Sequence, residues 1–291
     1  AEDTVLLVDE SLLPLFETFR AQVNIRHVVV ISTSGAVPAT PFADYEPLLA
    51  AADPSRFREA DIDELDAAAM CYTSGTTGRP KGVLYSHRAI VLHSFALGLR
   101  DALSIGEDDT ILPIVPMFHV NAWGLPFAAP LLGANLVFPG PYLDAPSVLD
   151  LLVRERVTLT AGVPTVWLGL LAELDKAPGT HDLGALRAIA VGGSAAPLSM
   201  IRGFEERHGL NILHAWGMTE MTPLGTICTV PSVWITKFRR GRTSEKRPTS
   251  IRRNQSVRRI DRLTRPDCAL TSGSSPDAGS PRAPRNTSSG P

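Results

Sequence analysis

The sequence predicts an α/β chain of layered sheets and helices that ends in a tail unable to pack. Three observations carry this. Short apolar runs alternate with segments of helical period over most of the chain, a pattern that pairs strands in parallel with helices between them. Sharp turns and helix starts recur directly after the apolar runs, where open α/β sheets collect their ligands. Apolar residues make up 44% of the 291 positions, enough for a sizeable core.

The elements follow in order. Val5–Val8 reads as a buried strand, and Ser11–Arg20 as a helix with Leu12, Leu15, Phe16 and Phe19 on its apolar positions. His27–Ser32 is a second strand. The Pro- and acid-rich stretch Ala36–Asp66 reads as a surface connection with a short helix near Tyr45–Ala51. Ala67–Tyr72 is small and apolar and reads as a buried strand, Val83–Tyr85 as a short one, and Ser86 is placed to cap a helix through Leu103. Thr110–Val115 is a strand ended by Pro116, and Asn135–Phe138 another. Asp144 and Pro146 open a helix to Glu155. Thr158–Val163 and Leu186–Val191 are strands, Pro164 opens a helix to Asp175, and Pro197–His208 is a helix before the strand Asn211–His214. Every candidate motif then sits just after a strand, which argues for one common site.

The richest motif is Tyr72-Thr73-Ser74-Gly75-Thr76-Thr77-Gly78-Arg79-Pro80-Lys81-Gly82. Its glycines let the backbone approach a ligand and visit positive φ. Its amides can form an anion-binding nest, its hydroxyls can donate, and Lys81 and Arg79 can neutralise oxygens. The matching ligand is a polyphosphate. The order is not that of a Walker A loop, which needs G-x-x-x-x-G-K-[ST] opening a helix. A ligand-free turn would explain a lone glycine pair but not the full string.

That string resembles the phosphate-binding loop of the adenylate-forming (AMP-binding) acyl-CoA synthetases. Two further stretches match in the right order: Val191-Gly192-Gly193-Ser194-Ala195-Ala196-Pro197 and Ala215-Trp216-Gly217-Met218-Thr219-Glu220. Met117-Phe118-His119-Val120-Asn121-Ala122-Trp123-Gly124 is similar to the acyl-site stretch of the medium- and long-chain fatty-acyl members. The resemblance runs from about residue 1 to about Ile227 and implies a partial large N-terminal domain of that fold.

The implied reaction is ATP-dependent activation of a carboxylic acid to acyl-adenylate, then transfer to CoA. The resemblance assigns Thr73, Ser74, Gly75, Thr76, Thr77, Gly78 and Lys81 to the β- and γ-phosphates, and leaves Arg79 at a variable position. It gives Thr219 a phosphate contact and Glu220 the Mg²⁺ ion, in keeping with a metal that takes one or two carboxylates plus phosphate oxygens. Trp216 stands where most members carry an adenine-stacking aromatic, often Tyr. Gly193, Ser194 and Ala195, with Gly217 and Met218, resemble the adenine-pocket lining, and Gly193 also borders the acyl site. His119, Val120 and Trp123 resemble acyl-site residues: His119 orienting the carboxylate, Trp123 gating a tunnel, with Leu125, Pro126 and Phe127 beyond. A core role serves His119 or Trp123 as a plain alternative. The catalytic set so carried over is Lys81, His119, Thr219 and Glu220.

From Val233 the pattern vanishes into Arg, Ser, Pro, Thr and Gly. The charge is −12 through residue 232 and +10 beyond it, giving the overall −2. We expect residues 1–232 to form a partial adenylation domain and 233–291 to be a disordered tail or the product of a frameshift near Pro231. A genuine basic tail that binds nucleic acid or anionic lipid is the second reading, but it lacks interleaved aromatics, and no nucleic-acid partner is expected. The family's ribose-binding Asp, hinge Arg and late Lys have no counterpart in the tail, so a non-catalytic nucleotide-binding remnant and a carrier-loading adenylation module stand as alternatives. A segment before Ala1 is expected to be missing. Cys71, Cys228 and Cys268 show no metal spacing. With no signal peptide or membrane-spanning run, they point to the cytoplasm. The partners expected are the small-molecule acid, ATP and CoA, with a homodimer compatible.

Overall fold

The computed structural model describes residues 2–32, 34–35, 41–75 and 78–228. Thr76, Thr77 and the whole basic tail lie outside them.

Three sheets are present among the described residues. The first joins β1 (Val5–Asp9), β2 (His27–Ile31) and β3 (Ala43–Asp44), all parallel. It carries α1 (Leu13–Glu17) and α2 (Tyr45–Ala50). The expected helix over 11–20 is broken. Asp9 caps a 3₁₀ turn at Glu10–Leu12, and Pro14 at the start of α1 resets the chain, so only Phe16 of the four apolar positions is buried. β1 is also less buried than its apolar run suggested, with Val8 alone in the core.

The second sheet is the hairpin of β4 (Ala67–Thr73) and β5 (Lys81–Ser86), paired antiparallel with Thr73 opposite Lys81. β4 too is mostly exposed rather than buried, because a two-stranded ribbon packs one face only. Cys71 and Tyr85 are its buried members. Ser86 caps α3 (His87–Gly98), its Oγ accepting from the Ala89 amide at 3.2 Å. The helix stops short of Leu103 because Leu99 is already extended.

The third sheet is the six-stranded scaffold. It comprises β6 (Thr110–Pro113), β7 (Asn135–Leu136), β8 (Leu159–Gly162), β9 (Ala188–Val191), β10 (Ile212–Gly217) and β11 (Leu224–Ile227). Their order is β11-β10-β9-β8-β6-β7, and only β11 runs antiparallel to its neighbour. Alternate strand residues face opposite layers. Leu112, Ile189 and Val191 pack with α5 (Ala145–Arg154), α6 (Pro164–Lys176) and α7 (Leu198–Arg202) through Leu152, Trp167, Leu170 and Met200. Ile111, Ala188 and Ala190 pack with α3 and with α4 (Leu125–Leu132) through Leu97, Leu125 and Ala128. Burial on both faces is why these strands read as continuous apolar runs.

At the amino-terminal ends of the parallel strands, Asp109 is a buried clamp. Its carboxylate accepts from Arg187 Nε at 2.8 Å and Nη2 at 2.9 Å, from Thr158 Oγ1 at 2.5 Å and from the Gly106 amide at 3.0 Å. The clamp leaves the opposite, carboxyl ends of the strands free to carry a site.

Candidate functional site

A cleft of about 580 Å³ opens at those carboxyl ends. The hairpin loop closes one side of it through Thr73, Ser74, Gly75 and Lys81, and the end of β10 with the turn after it closes the other through Trp216 to Glu220. Gly192 and Gly193 after β9, and His119, Val120 and Trp123 after β6, form the walls between. Separate stretches of the sequence therefore meet in one cavity. The lining combines polar groups with an aliphatic set, Leu97, Leu103, Leu125, Ala190, Leu224 and Ile227, that belongs to one apolar cluster.

The local backbone explains each position. Gly75 has φ +66°, and a Cβ there would overlap the Arg79 carbonyl oxygen across the loop. Gly217 is pressed in the same way against the Pro223 carbonyl. Trp216 and Gly217 lie inside β10 rather than after it, because pairing with β11 extends the strand past His214. The Trp216 ring lies against Gly225 of β11, where a Cβ would come within 2.6 Å of it, and the residue is otherwise largely exposed to the cleft. Thr219 is buried at the start of a 3₁₀ turn and Glu220 is exposed beside it. Tyr85 reaches this turn from β5, its hydroxyl donating to the Thr219 carbonyl at 2.6 Å.

The acyl-like stretch has an unusual backbone. Val120, Asn121, Ala122 and Trp123 carry φ of 53°, 49°, 47° and 57°, a left-handed turn closed by Gly124 at 73°. Such a turn costs roughly 1–2 kcal/mol for each non-glycine residue and needs outside support. Cys71 Sγ donates to Asn121 Oδ1 at 3.1 Å, and Val120 packs against Cys71 and Tyr85. The turn delivers the Trp123 indole against Gly192, where a Cβ would come within 2.9 Å of the ring. Gly193, at φ +78°, then turns the chain away. Ser194 and Ala195 are consequently exposed and do not line the cleft, and Gly78 faces open space outside it. Pro126 and Phe127 also lie off the cleft, while Leu125 lines it.

Lys81, His119 and Glu220 make no side-chain hydrogen bond or ion pair with other described residues. They are cleft groups with free bonding capacity. Among the described residues no three His, Cys, Asp or Glu side chains converge as a metal-binding cluster. One carboxylate, Glu220, faces the cleft, which suits Mg²⁺ held jointly with phosphate oxygens rather than in an all-protein cage.

His93 is a supporting residue that the sequence did not single out. Its imidazole is buried in α3, abuts Gly124, and accepts from the Leu224 amide at 3.3 Å through Nε2. Burial lowers its pKa from 6.5 to about 4. The folded state therefore keeps His93 neutral while the unfolded chain protonates it below pH 6.5. Stability from this group is intact above pH 6.5 and falls as the pH drops toward 4, by roughly 3 kcal/mol in all. In urea melts at a series of pH values, His93→Gln is expected to flatten the stability profile between pH 6.5 and 4. A slope equal to wild type would refute this.

Residues 1–259 match the AMP-binding enzyme family, a match that runs past Ile227, where the resemblance was expected to end. The chain is 46% identical over 233 residues to a medium-chain-fatty-acid–CoA ligase of Ectopseudomonas oleovorans, covering 79% of this chain and 42% of that protein. It is 50% identical over 225 residues to a long-chain-fatty-acid–CoA ligase of Thermus thermophilus, covering 77% of this chain and 40% of that protein. An anthranilate CoA ligase solved with anthranoyl-AMP superposes with a TM-score of 0.69 at 26% identity, over 79% of this chain and 43% of that one. The chain thus spans about two fifths of the length of the curated relatives it matches. With its parallel scaffold, glycine-rich hairpin loop and Trp-Gly-Met-Thr-Glu strand end meeting in one cleft, the chain belongs to the AMP-binding enzyme family.

Proposed function

We propose that this chain is the nucleotide- and acid-binding part of an acyl-CoA synthetase that activates a fatty acid. The observation that carries the reading is the mixed lining of the cleft. Lys81, Thr73, Ser74, Thr219 and Glu220 supply its polar groups, and Leu97, Leu103, Leu125 and Ile227, members of one apolar cluster, supply an aliphatic wall. An anionic polyphosphate fits the first and an alkyl chain the second. The names of the fatty-acid–CoA ligases among its relatives support the same substrate class.

In this reading a carboxylate oxygen attacks the α-phosphorus of ATP and the P–O bond to pyrophosphate breaks. The thiol of CoA then attacks the acyl carbon and AMP leaves with the electron pair. Lys81 and the loop donors hold the phosphates that depart as pyrophosphate, so their work is positioning and charge stabilisation. Trp216 offers a stacking face for adenine, and Thr219 a hydroxyl for phosphate. Glu220 would hold Mg²⁺, which supplies charge neutralisation at the phosphate oxygens. His119, Val120, Trp123 and Gly193 border the place where the acid's carboxylate meets the nucleotide. We assign this work to residues 1–232 and, from the free thiols of Cys71 and Cys228, to a reducing cytoplasm.

The test is fatty-acid-dependent exchange of labelled pyrophosphate into ATP, with ATP binding by calorimetry alongside. Exchange that requires the acid supports the enzyme reading. ATP binding without exchange assigns the chain a nucleotide-binding role only. Absence of both refutes the proposal. Lys81→Ala is expected to weaken ATP binding by roughly tenfold or more, the effect of removing one charge-assisted hydrogen bond. An unchanged affinity would remove Lys81 from the phosphate site.

A further inference from the structure

We infer that Tyr85 is a positioning residue that sets the height of Glu220 over the phosphate loop; the inference rests on the nucleotide reading of the cleft. Residues 81, 83 and 85 of β5 share one face. Lys81 presents that face to the cleft, Val83 packs in the small cluster with Cys71 and Val120, and Tyr85 is buried at 3% exposure. One strand face therefore carries both the phosphate-loop cation and a strut to the opposite wall.

The strut ends on a particular atom. Tyr85 Oη donates to the Thr219 carbonyl at 2.6 Å, joining residues 134 positions apart. That carbonyl belongs to the planar peptide linking Thr219 to Glu220, so fixing its oxygen fixes where the Glu220 Cα stands. Its other partner is the Thr222 amide, at 3.4 Å within the same turn. The turn is a single 3₁₀ unit, Thr219–Met221, that ends on Thr222 at φ +70°, so its own ladder does little to hold it. Burial first, then the neighbouring Cys71 and the Glu220 charge, push the phenol far above its ordinary range. The hydroxyl thus stays a donor at any working pH. Glu220 makes no side-chain hydrogen bond with another described residue, so the one hydrogen-bonded link from the tyrosine to it runs through the Thr219 carbonyl.

Tyr85→Phe keeps the ring and removes only the donor. ATP affinity of the chain is read across a Mg²⁺ titration, with AMP in the absence of metal as the comparison. The expected result is a Mg²⁺ midpoint for ATP binding raised about five- to tenfold, the size of one lost hydrogen bond, with AMP affinity within twofold of wild type. A wild-type midpoint overturns the inference. So does an equal loss for AMP and Mg-ATP, which would mark Tyr85 as packing only. A ligand-free arm separates this from failure of the nucleotide reading: the carbonyl carbon of Thr219 and the amide of Glu220 are followed by NMR, with amide dispersion reporting the fold. Both resonances are expected to move in Tyr85→Phe, and unmoved signals overturn the strut. If wild type binds no ATP, the nucleotide reading fails while this arm still decides whether Tyr85 orients the peptide.

Discussion

Gly75→Ala is expected to abolish detectable ATP binding while costing the fold little beyond the local strain of about 1 kcal/mol. Two effects add at this residue. A side chain at φ +66° is strained by about 1 kcal/mol or more. The second effect decides the matter: the new Cβ would overlap the Arg79 carbonyl oxygen, which is backbone and cannot rotate aside. The loop must open, and the donors that Thr73, Ser74 and Lys81 hold toward the cleft separate. Two or more charge-assisted hydrogen bonds to the phosphates are then broken, and the expected drop in affinity exceeds roughly a hundredfold. Stability is spared because the neighbouring loop positions Ser74 and Arg79 are exposed and bury no core. Gly78→Ala is the matched comparison. Its φ is +78°, yet a Cβ there meets nothing within 4 Å, so only the strain remains and binding should weaken severalfold at most. ATP calorimetry on the two variants settles the point. Binding by Gly75→Ala within threefold of wild type would show that the loop does not work as a closed cradle.

The contrast between these glycines marks the limit of what could be read from the residues alone. The loop itself was legible, because its string of glycines, hydroxyls and a lysine has no common structural use. The two glycines looked equivalent, and only the chain crossing at Arg79 separates them. The central sheet was legible for a related reason: strands covered on both faces, such as those with Ile111, Leu112, Ile189 and Val191, must be continuously apolar. The same rule misjudged β1 and β4, whose apolar runs are covered on one face only. Local patterning also gave no sign of the left-handed turn at Val120–Trp123, since glycine enters only at its end. The supports of the site were hidden by distance. His93 meets Leu224 131 residues away, and Tyr85 meets Thr219 across 134. A lone His or Tyr in a strand-and-helix pattern carries no mark of such a partner, whereas Thr219 and Glu220, which line the cleft, could be singled out because Trp-Gly-Met-Thr-Glu is contiguous.

Asp109→Ala is the substitution expected to cost most in stability, about 3 kcal/mol or more, without touching the cleft. The carboxylate accepts from four donors belonging to Gly106, Thr158 and both arms of Arg187. Its own residue precedes β6, Thr158 precedes β8 and Arg187 precedes β9, so a single side chain holds three adjacent parallel strands in register. Removing it leaves the half-buried Gly106 amide without its acceptor, the Thr158 hydroxyl with only the Thr110 carbonyl at 3.3 Å, and the Arg187 guanidinium, about a third exposed, without its counter-charge. Burial pushes the carboxyl pKa up, but the Arg187, Thr158 and Gly106 hydrogen bonds outweigh it and hold it below the ordinary carboxylate value. A depressed folded-state pKa means that the contribution is complete above the unfolded value near 4 and is lost as the pH falls below it. Wild type and Asp109→Ala should therefore differ most at neutral pH and converge in acid. Asp109→Asn should fall between them, since its amide keeps one acceptor but faces Arg187 with a donor. Asp175, bound by Arg207 and His208 on the surface, supplies the contrast. Solvent already screens that pair, and Asp175→Ala should move the midpoint little. Urea melts at pH 7 and at about pH 2, below the unfolded value, read all four proteins. An Asp109→Ala midpoint equal to that of Asp175→Ala would show that the strands are held by their core alone, and a gap from wild type that persists unchanged in acid would show that the carboxylate's charge is not what holds them.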